Sequence, residues 1–182
     1  MFIYDVDEEV TLRMLAARDA NELFNITDRS RVYLREWLPW VDEIKTVEDS
    51  LVFIQNGFQI YAERSGLTAG IFYQEKLVGV AGYNSLNWRD RIATIGYWLD
   101  VDSQGHGIMT RAVRALTDFA FTNFKLNRVE IRAAYENKKS QAIPINLGFK
   151  KEGHLRQTEW LYNHYVDHVV YGMLEEDWDI IT

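Results

Sequence analysis

The chain has 182 residues, a formal net charge of −7 and no cysteine. Without cysteine it can form neither disulfides nor thiolate metal sites, and it has no cysteine nucleophile. An acidic chain is also a poor partner for nucleic acid, whose phosphates require a basic surface.

The beginning of the chain carries no targeting signal that we recognise. Residues 1–9 are acidic and lack the basic start and apolar run of a signal peptide. No stretch approaches the roughly 18 uninterrupted apolar residues of a membrane span. We therefore expect a cytoplasmic protein without a membrane partner, folded as one domain over residues 1–182. The first predicted strand covers residues 10–15.

Helices dominate the next segment. Asp19 followed by Glu22 has the spacing of a capping box and predicts a helix start. The helical pattern continues in pieces until Pro39 stops it.

A second helix is predicted from Thr46, with Asp49 three residues later. Apolar residues then recur at helical spacing, which indicates one buried face: Val47, Leu51, Ile54, Phe58 and Tyr61. Gly66 is the expected C-cap of this helix.

The middle of the chain predicts strands. Residues 69–73 and 77–83 form a hairpin around Gln74-Glu75-Lys76, without the preferred Asn-Gly turn. After a connection at 87–91, a third strand covers 92–101. Gly96 inside this strand is typical of a bulge or of a close backbone approach.

The second half alternates helices and strands. A long helix is predicted over 107–124 from seven apolar residues on one face: Met109, Ala112, Val113, Leu116, Phe119, Ala120 and Phe124. A strand follows at 128–134, a short helix at 140–147 ending at Gly148, and two strands at 149–156 and 168–174. This order predicts an α/β fold, a mixed sheet with helices on both faces.

Residues 100–110 connect the third middle strand to the long helix and contain Gly105 and Gly107. Two glycines at a helix start let backbone N–H groups converge on an anion, and the first helical turn has no Asp or Glu. A tight strand-to-helix turn would explain the glycines equally well. A nucleotide P-loop is excluded because Lys-Ser/Thr is missing. A dinucleotide fingerprint would need Gly or Ala where Thr110 stands.

This loop resembles the signature of the GNAT acyl-CoA N-acyltransferases, Gln/Arg-x-x-Gly-x-Gly/Ala. Gln104 and Gly107 fit, and Met109 replaces the small residue at the last position. The resemblance implies a mostly antiparallel sheet splayed at the strand that binds the cofactor, with acetyl-CoA as co-substrate. It also implies that the coenzyme A pyrophosphate binds the loop residues Gln104, Gly105, His106, Gly107, Ile108, Met109 and Thr110.

The same resemblance assigns a role to the strand before the loop. In the family this strand is bulged, and the pantetheine arm lies along its splayed edge as an extra strand would. Gly96 occupies the position of the bulge in this sequence. The backbone groups of Leu99 and Val101 are then expected to bind the pantetheine.

The likeness extends downstream. Asn137-x-x-Ser140, followed by a helix and Gly148, is similar to the second half of the family pattern and adds Asn137 to the expected cofactor site. The tyrosine that often serves as general acid would fall on Pro144, so Ser140 is the candidate donor to the leaving thiolate. An ordinary helix N-cap is the alternative role for Ser140.

The branch that acetylates ribosomal-protein N-termini is similar to this chain at residues 96–99 and 152–156. In that branch a glutamate equivalent to Glu159 is proposed as the base, and the alternative here is a solvated carboxylate in a loop. A protein N-terminus, with a pKa near 8, is roughly 10% neutral at pH 7 and suits a carboxylate base better than a lysine with a pKa near 10.4.

Other candidate residues have competing interpretations. His164 and His168 stand four apart, but no third ligand is evident, so no metal site is expected. The histidine of the glycine loop could contact phosphate or be exposed. Trp37 and Trp40, with Asp42 and Glu43, could form an aromatic and acidic wall for a cationic peptide end. Core packing is the favoured explanation of Trp37.

The sequence thus predicts an acetyl-CoA-dependent N-acetyltransferase acting on a primary amine, with a ribosomal-protein N-terminus the favoured acceptor. A polyamine or drug amine is an alternative acceptor, and a non-catalytic acetyl-CoA sensor or a dinucleotide-dependent oxidoreductase is an alternative function. Because members of the family commonly form dimers or larger rings, a homo-oligomer is expected.

Overall fold

The computed structural model describes residues 1–181 of the chain and the side chains of residues 1–178. Eight strands form a single sheet. They are β1 (Ile3–Asp5), β2 (Val10–Met14), β3 (Leu67–Tyr73), β4 (Lys76–Asn87), β5 (Ile92–Leu99), β6 (Arg128–Ala134), β7 (Lys150–Leu161) and β8 (His164–Leu174).

Six α-helices connect or flank these strands within the described residues. They are α1 (Ala20–Arg29), α2 (Arg31–Arg35), α3 (Val47–Ala62), α4 (Ile108–Thr122), α5 (Lys138–Asn146) and α6 (Glu175–Ile181). The predicted strand–helix order is confirmed. The short strand β1 and the last helix α6 were not predicted.

The sheet order is β1-β2-β3-β4-β5-β6-β8-β7, and every neighbouring pair is antiparallel except β5 and β6. That parallel pair needs a long crossover, which α4 supplies. The β5–β6 ladder covers only Ile92–Ile95 against Arg128–Ile131. Beyond Ile95 the two strands are no longer paired, so the sheet is splayed on the side where the glycine loop begins. The predicted fold is confirmed.

Helices cover both faces of the sheet. The apolar face of α4 contributes Ala112, Val113 and Leu116 to the larger core cluster, together with Ile95 and Ile131 of the sheet. A second cluster joins α1 and α3 to β3 and β4. The last residue of α1, Arg29, binds Asp100 at the start of the loop between β5 and α4, so α1 and α4 both contact this loop.

The capping box predicted at Asp19 is wrong, although α1 does begin after that residue. The carboxylate of Asp19 accepts hydrogen bonds from Arg13 and from the N–H of Ala16 rather than capping α1. The Glu22 carboxylate accepts the N–H of Leu77. Both acidic groups are therefore used in tertiary contacts. The second predicted box, Thr46 with Asp49, is present.

Two further expectations for α3 need correction. The helix ends at Ala62, and Arg64 rather than Gly66 adopts the left-handed conformation, with φ of 56°. Gly66 is required for space, because a Cβ there would lie 2.5 Å from the carbonyl oxygen of Tyr83. Phe58 and Tyr61, expected in the core, are exposed.

The bulge expected at Gly96 lies on the neighbouring strand. The β4–β5 register jumps between Tyr83 and Ser85, so Asn84 is the extra residue. Gly96 instead gives room to the Asn84 amide, which would lie 2.3 Å from a Cβ at that position. The Gln74–Glu75 turn is confirmed, and both residues have positive φ, 49° and 67°, as the tight hairpin turn requires.

Candidate functional site

The glycine loop has the backbone geometry of an anion cradle. Gly105 and Gly107 have φ of 85° and 69°, and a Cβ at either would meet no atom within 4 Å. Glycine is therefore needed for conformation and not for space. Gly107 is the N-cap of α4, and the first turn of α4 holds no acidic residue. The unpaired N–H groups and positive dipole end of this helix are free to bind an anion.

A buried carboxylate anchors the start of the loop. Asp100 has 0% exposure and accepts hydrogen bonds from Arg29 (Nε to Oδ1, 2.9 Å) and from the Ser30 hydroxyl (2.7 Å). Burial would raise the pKa of Asp100, but these hydrogen bonds outweigh it and hold the pKa below the ordinary value. The Ser30 hydroxyl also accepts the N–H of Val101. Sequence reasoning missed this anchor, since its partners lie some seventy residues earlier in the chain.

The outer side of the loop is fixed by Arg111. Its Nη1 binds Asp7 at 2.9 Å and Glu9 at 3.1 Å, and its Nη2 donates to the carbonyl of His106 at 3.4 Å. The ring of His106 stacks against Tyr73 with centroids 6.2 Å apart. The first turn of α4 and the N-terminal hairpin therefore hold the loop together.

A cavity of about 570 Å³ opens inside the loop. Nine of the predicted cofactor residues line it: Leu99, Gln104, Gly105, Gly107, Ile108, Met109, Thr110, Asn137 and Ser140. Val101 and His106 do not line it. Val101 lies in a short 3₁₀ turn after β5 and is exposed, and its N–H is already bonded to Ser30.

Lys139 and Tyr33 are among the cavity residues that were not predicted from the sequence. The Lys139 ammonium lies 3.3 Å from the Gln104 side-chain oxygen and 5.6 Å from the centre of the Tyr33 ring, and both Lys139 and Tyr33 line the cavity. A lysine directly before the helix predicted over 140–147 is the signal that could have found it. The side chain of Met109 is buried in the core, so it leaves the backbone of the loop accessible.

A second cavity, of about 400 Å³, lies against residues of β4, β5 and β6. Its wall is aromatic: Trp40 packs against Trp98 at 5.9 Å and against Phe53 at 6.5 Å between ring centres. Trp37 is half-buried and lines both cavities, so core packing does not describe it.

The acidic part of the predicted wall is not where the sequence suggested. Asp42 and Glu43 do not line the cavity, and Asp42 forms an exposed ion pair with Arg35. Glu159 is the carboxylate that lines it, among the described residues.

The two cavities share six lining residues: Trp37, Leu38, Tyr97, Trp98, Asn137 and Ser140. At this junction the hydroxyl of Tyr97 donates to the carbonyl of Ser140 at 2.8 Å. The Ser140 hydroxyl lies 3.4 Å from the Tyr97 hydroxyl oxygen. Burial raises the pKa of Tyr97 far above its ordinary value, so this hydroxyl stays protonated. Tyr97 belongs to the segment 96–99 that is similar to the ribosomal-protein branch, but the sequence analysis gave it no role.

Ser140 is not the N-cap of α5. Asn137 holds that position, and its side-chain oxygen accepts the N–H of Ser140 at 3.1 Å. Ser140 therefore lies in the first turn, where its hydroxyl makes no capping bond and reaches the junction.

Glu159 lies on strand β7 and not in a loop. Its Oε1 is 3.8 Å from Nε2 of His168, and the two side chains are 29% and 18% exposed. The register pairs Glu159 with Val166 and Leu155 with His168, which places Glu159 and His168 on one face of the ladder. The carboxylate is thus half-buried beside an imidazole at the wall of the second cavity.

The other histidine of this strand is separate from the site. His164 opens β8, and its ring contacts the side-chain oxygen of Asn163 at 2.9 Å. Over the described residues, no group of three or more His, Asp or Glu side chains is arranged to hold a metal ion. In the same part of the chain, no helix is long and apolar enough to cross a membrane.

Comparisons with known proteins identify one family. Residues 9–150 match the acetyltransferase (GNAT) domain family. The chain is 33% identical over 180 residues, 98% of each protein, to the putative ribosomal N-acetyltransferase YdaF of Bacillus subtilis. It is 28% identical to the ribosomal-protein-serine acetyltransferase of Escherichia coli, covering 93% of this chain and 94% of that protein. The structure of RimL, a ribosomal L7/L12 α-N-protein acetyltransferase in complex with coenzyme A, superposes with a TM-score of 0.92 at 25% identity, covering 97% of this chain and 99% of that one.

Proposed function

This chain belongs to the acetyltransferase (GNAT) domain family, and from that premise we propose that it acetylates the N-terminal α-amine of a protein, with a ribosomal protein as the acceptor. The coarser activity is given by the family: the chain is an N-acetyltransferase that uses acetyl-CoA as co-substrate. The proposal adds the acceptor class and assigns Glu159 as the base and Ser140 as the donor to the leaving group.

The first cavity suits acetyl-CoA. The pyrophosphate would bind the N–H groups of the glycine loop and the start of α4, where no acidic side chain competes. Lys139 adds a cation at the rim. On its side facing β6, strand β5 has no paired strand beyond Ile95, which leaves backbone groups near Leu99 for the pantetheine amides. Val101, with its N–H already bonded, contributes less than the sequence suggested.

The second cavity suits the amine. The observation that carries the proposal is that Glu159 lines this cavity while Ser140 and Tyr97 stand where it meets the first one. An ammonium entering here meets a carboxylate and an aromatic wall, both of which attract cations. The α-amine needs only modest help to become neutral at pH 7, because its pKa is about 8.

The chemistry at the junction is a direct transfer. Acetyl-CoA supplies a thioester, and the neutral amine forms the C–N bond by adding to its carbonyl carbon. The C–S bond then breaks with its electron pair leaving on sulfur, and the proton that the nitrogen loses after attack passes to this thiolate. Glu159 accepts the proton that the ammonium must lose before attack, directly or through one water. Ser140 donates a hydrogen bond toward the departing sulfur, whose thiol has a pKa near 8.5 and needs no strong acid. The hydroxyl of Tyr97 holds the Ser140 backbone in place.

The test is Glu159→Gln, assayed with acetyl-CoA and peptides that begin with Ser, Ala or Met. We expect turnover at pH 7 to fall by about 10²–10⁴-fold, as for the loss of a general base. Acetyl-CoA affinity should not change. The defect should shrink as pH approaches 8, because the solution then supplies neutral amine. Glu63→Gln, at the exposed end of α3, is the matched control.

A Gln variant with native turnover at pH 7 would remove Glu159 as the base. A variant equally slow at every pH would assign it to acceptor positioning. If spermidine or another small amine turns over faster than every peptide, the acceptor class is wrong while the chemistry stands.

Three wider proposals accompany this function. The whole chain is one domain, since one sheet includes strands from Ile3 to Leu174. The protein acts in the cytoplasm, where its proposed acceptor is made. It self-associates, with the edge strand β7 and the exposed Trp160–Tyr165 pair offering a surface for a second copy.

A further inference from the structure

The segment 152–156, Glu-Gly-His-Leu-Arg, has no role in the chemistry described so far. It lies on β7, three residues before the proposed base. Of its side chains, Glu152 pairs with Arg128 and His154 with Asp167 at 2.7 Å. The second contact leads to the residue that carries this inference.

Strand β7 is irregular just before Glu159. Leu155 is opposite His168 and Glu159 is opposite Val166, so β7 advances by four residues while β8 advances by two. Gln157, inside this bulge, has a φ of 48°. The bulge lies on an edge strand, with no further strand beside it among residues 1–181. Its shape decides where the Glu159 carboxylate points.

Asp167 holds the bulge from the neighbouring strand. Its Oδ1 accepts the N–H of Gln157 at 2.7 Å, and its Oδ2 lies 2.7 Å from Nε2 of His154. The Gln157 N–H is the largest cause of a lowered pKa of Asp167, followed by His154. Asp167 and His154 point away from the face that carries Glu159, because adjacent residues of a strand alternate.

The backbone of Asp167 reaches the other side of the reaction centre. Its carbonyl accepts the N–H of Tyr135 at 2.9 Å. The ring of Tyr135 packs on His154 with centroids 4.7 Å apart. Two residues after Tyr135 comes Asn137, the N-cap that orients Ser140. One residue therefore links the segment that carries the base to the segment that carries the thiolate donor.

We propose that Asp167 is a positioning residue, which sets the distance between Glu159 and the junction by holding the β7 bulge and the end of β6 together. The proposal rests on the assignment of Glu159 as the base. Asp167 touches neither cavity, so its effect on turnover passes through Glu159.

The experiment compares Asp167→Ala with Asp167→Asn, each alone and combined with Glu159→Gln. The Ala variant frees the bulge, and we expect kcat to fall about tenfold to a hundredfold, since a misplacement of about 1 Å can cost that much. Acetyl-CoA affinity should stay native. Asn keeps an oxygen for the Gln157 N–H and an amide for His154, so it should restore most of the rate. Asp90→Ala, in the hairpin at the other end of β5, is the matched control.

The double variants test the coupling. In the Glu159→Gln background, Asp167→Ala should cause no further loss of kcat. A native rate for Asp167→Ala, or the same fold-loss in both backgrounds, would overturn the positioning role and leave Glu159 as base. A native rate for Glu159→Gln would overturn both. If Asp167→Ala does not fold, His154→Ala serves in its place, with a smaller expected loss and the same coupling test.

Discussion

The buried pair between Arg29 and Asp100 supports a sharp prediction, because its two halves differ in exposure. Asp100 has 0% side-chain exposure and Arg29 50%. Removing Arg29 leaves a buried carboxylate without its counter-ion. Removing the charge of Asp100 leaves a guanidinium that water can reach. Arg29→Ala should therefore destabilise the protein more than Asp100→Asn.

The magnitudes follow from the contacts. Asp100→Asn weakens the hydrogen bonds from Arg29 and Ser30, each worth about 1.5–3 kcal/mol to a charged group, and partial hydration of Arg29 offsets some of the loss. We expect a cost of about 2 kcal/mol. Arg29→Ala should cost about 3–5 kcal/mol, as for an uncompensated buried charge. The double variant Arg29→Ala/Asp100→Asn should be more stable than Arg29→Ala alone, since it removes the isolated charge of Asp100.

The sign of the pH dependence separates the variants. In the native protein the pKa of Asp100 is lowered, so the stability that the pair contributes is present above about pH 3.8 and is lost as pH falls through the folded-state pKa. In Arg29→Ala, burial is expected to raise the pKa of Asp100. The stability of Arg29→Ala should then fall as pH rises from 3.8 through that raised pKa. The difference in free energy of unfolding between the native protein and Arg29→Ala should therefore widen.

Urea unfolding between pH 4 and pH 8 measures these free energies, with fluorescence from the six tryptophans as the signal. The reasoning is refuted if Arg29→Ala costs the same at every pH, or if the double variant is less stable than Arg29→Ala. Because Asp100 begins the glycine loop, each variant should also weaken acetyl-CoA binding in calorimetry.

Three other predictions concern the cofactor site and assembly. Ser140→Ala should lower kcat more than acetyl-CoA affinity, and equal losses in kinetics and calorimetry would assign it to binding. Gly107→Val should abolish acetyl-CoA binding in calorimetry while the circular dichroism stays native, because a β-branched residue is strained at a φ of 69°; unchanged affinity would contradict the loop assignment. Sedimentation across the micromolar range should show a dimer or larger species, and a monomer throughout would end that proposal.

Local patterns were enough to predict most elements of the fold. The apolar face of α4, the capping box at Thr46 and the two loop glycines act through neighbours in the sequence, so their spacing reveals them. The same holds for β6, whose bounds were predicted as observed.

Features that depend on distant contacts were missed or misplaced. Asp19 fits a capping box by spacing, but Arg13 on β2 takes its carboxylate. The bulge expected at Gly96 lies at Asn84 on the neighbouring strand. Glycine is needed at position 96 because the Asn84 side chain occupies the space where a Cβ would be. The Tyr97 hydroxyl bonds to Ser140 of α5, which lies 43 residues later in the chain, so no local pattern predicts this contact.

The junction shared by the two cavities also constrains the order of events in a catalytic cycle. In the proposed function the two substrates occupy cavities that share Ser140 and Tyr97, so both substrates are present at once and meet without a covalent carrier. A chain that contains no cysteine has no thiol on which to store the acetyl group. Initial-rate plots at several fixed concentrations of one substrate should therefore give intersecting lines, and coenzyme A should not exchange with acetyl-CoA until an acceptor is added.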